Sequence, residues 1–227
     1  MNNSNNFEII YFTKPQSYED IYKLQIERVE AVANETACEC LMLLEHLPVY
    51  TAGRHFKPQH LLITPEECNS KGIQFVNTDR GGDITYHGPG QLVGYPIISL
   101  TRRNLTVHKY LRTLEQTIIE CLKYYQIEAK TNPPLTGVWV EHRKICAIGI
   151  GVRKGITYHG FSLNVNLSLE PYKWIIPCGI SDKPVTSLSQ EISSSKDTPS
   201  ITDVINILIS VFINTFELNN SKITKVE

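Results

Sequence analysis

The spacing of apolar residues changes along this chain, and each change marks an element. Phe7 to Phe12 alternates weakly and is rich in β-formers, which predicts a first strand. From Tyr18 to Asn34, Ile21, Leu24, Ile26, Val29 and Val32 recur at near-helical spacing. Ser17 stands as the N-cap, with Glu19 and Asp20 in the first turn, so an amphipathic helix is predicted. Cys40 to Leu44 is a short apolar run that reads as a buried strand; Glu45-His46-Leu47-Pro48 turns the chain and Val49 to Thr51 resumes it. Thr64-Pro65-Glu66-Glu67 has the order of a helix start, with an end near Gly72, and Ile73 to Val76 is a strand. Leu92 to Leu100 is strand-like. Thr106 caps a longer helix striped by Leu111, Leu114, Ile118, Ile119 and Leu122, ending near Tyr125.

Beyond the Pro133-Pro134 loop, Gly137 to Glu141, Lys144 to Val152 and Thr157 to Asn166 are β-rich, with Val152-Arg153-Lys154-Gly155 as a hairpin turn. Pro171 to Trp174 is a turn or short helix, and Ser189 to Ser200 is a polar connector. Ser200 with Asp203 caps a last helix, Ile201 to Phe216, whose Val204, Ile207, Leu208, Val211 and Phe212 face a core. The polar tail after Asn219 is expected to fray. Strands and helices alternate, so the chain reads as an α/β (α+β) fold in a single domain, residues 1–227.

Composition narrows the partners. With 227 residues, 41% of them hydrophobic, the chain buries its core without staples. Lys+Arg 22 against Asp+Glu 23 leaves a net charge of -1, which gives no electrostatic footprint for nucleic acid. The opening Met-Asn-Asn-Ser-Asn-Asn lacks a signal peptide's apolar core, and no apolar run approaches the ~20 residues that span a bilayer. A cytoplasmic protein with no membrane partner and with reduced thiols is expected. The six cysteines form no Cys-x-x-Cys pair, and no metal site is expected.

One stretch stands out chemically. From Arg80 to Pro96, Gly81, Gly82, Gly88, Pro89 and Gly90 alternate with Arg80, Asp83, Thr85, Tyr86, His87 and Gln91, which suits a binding loop between strands. Neither phosphate-loop order, Gly-x-x-x-x-Gly-Lys-Ser/Thr or Gly-x-Gly-x-x-Gly, is present. Ile84-Thr85-Tyr86-His87-Gly88 recurs as Ile156-Thr157-Tyr158-His159-Gly160, so both segments could line one pocket. Arg54 to His60 reads as a solvated loop. Five cysteines sit in core-like contexts, whereas Pro177 and Gly179 set Cys178 on a sharp turn that presents its thiol. A cation beside such a thiol activates it, and Lys144, His87, His159 and Lys173 are the candidates. Lys144 is the one charge opening an apolar strand; it is either an edge lysine that snorkels or a desolvated proton carrier.

Arg80-Gly-Gly-Asp-Ile-Thr-Tyr-His-Gly-Pro-Gly-Gln91 resembles the signature loop of the lipoyl(octanoyl) transferases. Gly137-Val-Trp-Val through Lys144-Ile-Cys-Ala-Ile-Gly, His159-Gly-Phe-Ser-Leu-Asn-Val-Asn166 and Pro177-Cys-Gly179 are similar to that family in the same order, over roughly Glu45 to Gln190. The resemblance implies a biotin/lipoate protein ligase-like fold: a mixed central sheet, a smaller sheet and flanking helices. It implies a Lys144/Cys178 catalytic dyad. Cys178 would take octanoyl (or lipoyl) from the phosphopantetheine thioester of acyl carrier protein and pass it to a lysine of a lipoyl domain. The acceptor would belong to a 2-oxoacid dehydrogenase complex or to glycine cleavage H protein.

The family's substrate contacts fall on Arg80, Gly81, Gly82, Asp83, Ile84, Thr85, Tyr86 and His87, on Ala147, Ile148 and Gly149, and on Gly160, Phe161 and Ser162. His159, like His87, is an orienting candidate. Asp83 occupies a position the family varies, so no essential role is expected; its carboxylate would pair with Arg80 or solvent. Backbone N–H groups near Gly179 or in the glycine loop are candidate oxyanion donors. No cofactor and no ATP are implied, and a monomer is expected. An ATP-dependent ligase on the same fold and a non-catalytic binder of acyl carrier protein or lipoyl domains are the rival readings.

Overall fold

The apolar run at 40–44 is strand because both of its faces are buried. In Glu39–Leu44 (β2), Leu41 and Leu43 enter one core while Cys40, Met42 and Leu44 enter another. A continuous apolar strand and two helix layers therefore specify each other. The protein, seen as a computed structural model, is described for residues 6–180, 183–192, 198–218 and 220–227.

The sheet through β2 has eight strands. In chain order these are Phe7–Phe12 (β1), β2, Gln91–Ile97 (β6), Lys130–Asn132 (β7), Leu135–Val140 (β8), Arg143–Arg153 (β9), Ile156–Asn164 (β10) and Ser221–Val226 (β11). Across the sheet they run β11-β1-β2-β6-β10-β9-β8-β7. β1 is parallel to both its neighbours, and the other pairs are antiparallel. A second sheet holds Gln74–Asn77 (β4), Val49–Ala52 (β3) and Ile84–His87 (β5) in the order β4-β3-β5. This is the expected architecture of a large mixed sheet, a small sheet and flanking helices.

Tyr18–Ala33 (α1) covers one face of the large sheet over β6 and β10. Val107–Lys123 (α3) and Ile201–Thr215 (α5) pack on each other and cover the opposite face. Pro65–Ser70 (α2) begins with the predicted Thr64 cap, now a capping box with Glu67, and Ser200 with Asp203 forms a second. Leu188–Glu191 (α4) is one turn at the start of the predicted connector, whose residues 193–197 lie outside the described residues. The β9–β10 turn at Lys154-Gly155 is as expected, both residues having positive φ, at 52° and 75°.

Two expectations are corrected. Leu24 does not join the buried stripe of α1: it is 40% exposed, and Gln25 is buried in its place. A glutamine can lie there because its Oε1 accepts the His159 N–H at 2.7 Å. Asn219 is outside the described residues, but the tail after it does not fray. Ser221–Val226 pairs along the whole of β1, from Phe7 with Ser221 to Phe12 with Val226. Its hold is backbone pairing more than burial, since Ile223 is half exposed. Apolar periodicity therefore gave no sign of it.

Deleting 220–227 should uncover the backbone edge of β1. The loss of six paired residues, offset by the entropy of leaving them disordered, is expected to lower stability by about 2 kcal/mol. The urea midpoint followed by circular dichroism measures it; an unchanged midpoint would mean that β11 contributes nothing.

Candidate active site

Cys178 sits on a turn that its sequence forces. Pro177–Gly179 is a single 3-10 turn in which Cys178 has φ 57° and Gly179 φ 68°. Left-handed backbone at a side-chain-bearing residue costs on the order of 1 kcal/mol. The neighbourhood fixes it: Ile176 N–H donates to His60 O (2.8 Å), Gly179 N–H to Ile176 O (3.1 Å) and Ile180 N–H to Pro177 O (3.0 Å). The Gly179 N–H is thus engaged inside the turn, which removes it as an oxyanion donor. The thiol is half-buried, as the Pro-Cys-Gly order predicted.

Lys144 comes to this thiol from β9. Its Nζ is 3.3 Å from Cys178 Sγ and 4.8 Å from the centroid of the Trp139 ring. β9 lies between β10 and β8, so Lys144 is not on an edge strand, and it is 7% exposed. Its backbone is clamped by Lys144 N–H to Pro184 O and Thr186 N–H to Lys144 O, both 2.9 Å. Of the two readings left open for this lysine, the desolvated one fits.

The thiol opens onto a narrow cleft, part enclosed and part open to solvent. One wall is Arg80, Gly81, Gly82, Asp83, Thr85 and His87, and the other is Ala147, Ile148 and Gly149 on β9 with Gly160, Phe161 and Ser162 on β10. His159 also lines it. The walls approach closely: Gly81 N–H donates to Ile150 O at 2.9 Å, and a Cβ on Gly149 would stand 2.7 Å from Gly81 O. Only glycine fits there.

Ile84 and Tyr86 are the exceptions among the expected contacts. Residues 84–87 are the strand β5, so alternate side chains face opposite ways. Thr85 and His87 face the cleft, while Ile84 and Tyr86 pack into the core under the small sheet. The repeated Ile-Thr-Tyr-His-Gly segments do meet here, through Thr85 and His87 from one and His159 and Gly160 from the other. Three lining residues went unforeseen: Tyr18, Val93 and Tyr95. Each reads in sequence as an ordinary core position, and the fold alone brings them to the cleft.

The polar groups form two directed chains. Arg80 donates from Nε to Thr51 Oγ1 (3.2 Å), from one terminal nitrogen to the Thr51 carbonyl, and from the other to Gly81 O (3.0 Å). Thr51 in turn donates to His87 Nε2 (3.2 Å), and His87 Nδ1–H donates to Gln91 Oε1 (2.7 Å). The Gln91 amide nitrogen bonds Asn164 and Tyr172, which fixes its oxygen as acceptor and the His87 tautomer with it. In the second chain, His159 Nε2–H donates to Asp79 Oδ1 (2.8 Å), and Tyr158 OH donates to Oδ2 (2.6 Å). These bonds, that from His159 foremost, hold the Asp79 carboxyl far below the usual range.

Asp83 does not pair with Arg80 or with solvent. Its Oδ2 lies 2.6 Å from His60 Nδ1, and its Oδ1 accepts the Ile84 N–H at 2.7 Å. The pair sits beside Gly179, where a Cβ would meet Asp83 Oδ2 at 3.0 Å and His60 at 3.1 Å. The 54–60 segment is therefore no mere solvated loop, since His60 helps seat the thiol turn.

Residues 17–213 match the family model described as the lipoyl protein ligase A/B catalytic domain. The chain belongs to that family. It is 47% identical to an octanoyltransferase of Dictyoglomus thermophilum over 82% of this chain and 79% of the relative. It is 42% identical to one of Dictyoglomus turgidum over 95% and 90%. Solved structures share the fold at low identity. A bi-partite lipoate protein ligase from Thermoplasma acidophilum superimposes with a TM-score of 0.70 at 16% identity, covering 99% of this chain and 88% of that one. LipL1 of P. falciparum in complex with lipoate gives 0.73 at 14%, covering 97% and 66%. The expected biotin/lipoate protein ligase-like fold is thus the fold of this member. No described helix is long and apolar enough to cross a membrane.

Thiol reactivity in this family member should divide by burial. Burial pushes Cys40 and Cys121 up to about 12 and raises Cys68 and Cys146 as well. Iodoacetamide at about pH 8 is expected to alkylate half-buried Cys178 and Cys38 at least roughly a hundredfold faster than those four in native protein. Peptide mapping reads the order, and fast labelling of Cys146 would contradict the packing.

A second expectation concerns pH. Burial lowers His46 from 6.5 to about 4, His87 well below its usual value, and His159 against the opposing pull of Asp79. Between these values and 6.5 the unfolded chain takes up protons that the folded chain does not, so stability falls as pH drops from about 6.5 towards 4. His46 alone accounts for about 3 kcal/mol. The Asp79 contribution is lost only below its unfolded value of 3.8, outside this window. Urea unfolding at pH 7 and pH 4.5 tests this, with His46→Gln flattening the slope; a flat wild-type profile would exclude neutral buried rings.

Proposed function

We propose that the protein is an octanoyltransferase of lipoate biosynthesis that works through an acyl-thioester on Cys178. The Lys144 Nζ to Cys178 Sγ contact of 3.3 Å, set at the mouth of a narrow, mainly apolar cleft, is the observation that carries this reading. In the first half, Sγ attacks the thioester carbonyl of octanoyl acyl carrier protein. Lys144 takes the thiol proton and returns it to the departing phosphopantetheine sulfur as that C–S bond breaks. In the second half, the amine of a lysine on a lipoyl domain attacks the Cys178 thioester. The C–N bond forms, the C–S bond breaks, and the amine's proton passes through Lys144 to the Cys178 sulfur.

Thioester-to-thioester exchange is close to thermoneutral and amide formation is downhill, so no nucleotide and no other cofactor is needed. The alkyl chain lies between the two glycine-bearing walls, where each buried CH₂ contributes about 0.8 kcal/mol. Arg80, the glycine loop and the 147–149 and 160–162 segments bind it, and His87 and His159 orient the walls. Lipoyl domains of 2-oxoacid dehydrogenase complexes or glycine cleavage H protein are the acceptors, and the protein acts in the cytoplasm as a monomer.

Intact mass after mixing with octanoyl acyl carrier protein, without nucleotide, tests the scheme. One octanoyl group, labile to hydroxylamine and absent in Cys178→Ser, is expected. Lys144→Met should slow adduct formation by roughly a hundredfold or more. No adduct, with a lipoyl domain acylated only when ATP is present, would assign the chain to the ligases instead.

A further inference from the structure

Two empty spaces meet at one side chain. Beside the acyl cleft lies a second groove, between the first turns of α1 and the end of β4, lined among others by Tyr18, Tyr22, Val76, Thr78 and Asp79. Tyr18 is the only described residue that lines both. Its ring is 3% exposed, so it fills the space between them rather than flanking either.

The ring is held on several sides. Tyr18 is the first residue of α1, whose N-cap Ser17 accepts the Asp20 N–H. It stacks near-parallel on His87 at 6.3 Å and tilts against His46 at 5.2 Å, with its hydroxyl 3.5 Å from His159 Nδ1. The partition is completed by the His159–Asp79 pair, which has the imidazole on the cleft side and the carboxylate on the groove side.

The thiol and this partition lie at opposite ends of the cleft wall. Lys144, which touches Cys178, precedes the wall residues Ala147, Ile148 and Gly149 on β9, and the next residue, Ile150, is in register with His159. From Ala147 to Ile150 is three steps at ~3.3 Å, roughly 10 Å of strand, about the length of an extended eight-carbon chain. An alkyl chain anchored on Cys178 and running along β9 and β10 therefore reaches Tyr18 last.

We propose that Tyr18 sets the length of the acyl chain the protein accepts, by closing the cleft off from the second groove. The inference rests on the acyl-transfer reading above. Removing the ring joins the two spaces, and Val76 and Tyr22 then offer apolar surface to a longer tail.

The test is a competition among octanoyl, decanoyl and dodecanoyl acyl carrier proteins at equal concentration, with adducts counted by intact mass. Wild type should carry mainly the octanoyl group. Tyr18→Ala should raise the dodecanoyl-to-octanoyl ratio by about tenfold or more, as burial of two further methylenes would. Tyr18→Phe, which keeps the ring, should keep the wild-type ranking. Should Tyr18→Ala fail to fold, Tyr18→Leu is read in the same way.

The same ranking is measured by equilibrium binding of octanoyl, decanoyl and dodecanoyl pantetheine in a Cys178→Ser background, which requires no transfer. An absent adduct on wild type alone counts against the transferase reading. An unchanged ranking in the shortened variants, in both measurements, overturns the role of Tyr18.

Discussion

A buried guanidinium braces the loop that joins the two sheets across the cleft. Arg80 is 8% exposed, and among the described residues it forms no ion pair. Removing such a charge from water costs several kcal/mol, and here carbonyl and hydroxyl oxygens of Thr51 and Gly81 offset it. Those same bonds fix Thr51 in β3, and through it His87, Gln91 and Asn164. The loop around Arg80 is tied to the small sheet by Gly53, Arg54 and His55, whose N–H groups donate to Asp83, Arg80 and Gly82 carbonyls. It is tied to the large sheet by Gly81 N–H to Ile150 O. The cleft wall is therefore as rigid as the sheets it joins, which suits a site that must hold a flexible chain in one pose.

The thiol turn depends on this wall less directly. Asp83, three residues beyond Arg80, binds His60, and His60 O accepts the Ile176 N–H that begins the turn. A change at Asp83 thus reaches Cys178 through two contacts without touching it. The thiol's position is set by the small sheet and its loops, whereas Lys144 is set by the large sheet. Their 3.3 Å contact is where the two halves of the molecule are measured against each other.

Much of this was legible in the sequence, for identifiable reasons. Pro177 and Gly179 announced a turn, and Lys144 was conspicuous as the one charge opening an apolar strand. Glycines among polar groups marked the wall at 80–88, because close backbone approach leaves that trace. What was hidden lacked any local sign. Val93 and Tyr95 look like core residues because they are core residues, and Tyr18 is as buried as they are; only the meeting of α1 with β6 brings them to the cleft. Ile84 and Tyr86 came with the family's contiguous contact segment, and only the strand β5 shows that their side chains face the core while Thr85 and His87 face the cleft. Gln25 interrupts an apolar stripe to satisfy one backbone N–H, a partner known only from the fold.

The order of strands also divides the large sheet by contact order. β8, β9 and β10 follow one another in sequence and pair as neighbours, so their ladders close over short loops. At the other end, Phe7 must find Ser221 across nearly the whole chain. Local pairings form fast and distant ones slowly, because loop closure precedes the contacts that reward it. Two strands of the cleft, β9 and β10, and Lys144 with them, therefore belong to the half whose ladders close over short loops. The outer edge, β1 with β11, closes over the longest, and the ends of the chain that lie outside the matched residues 17–213 are joined there.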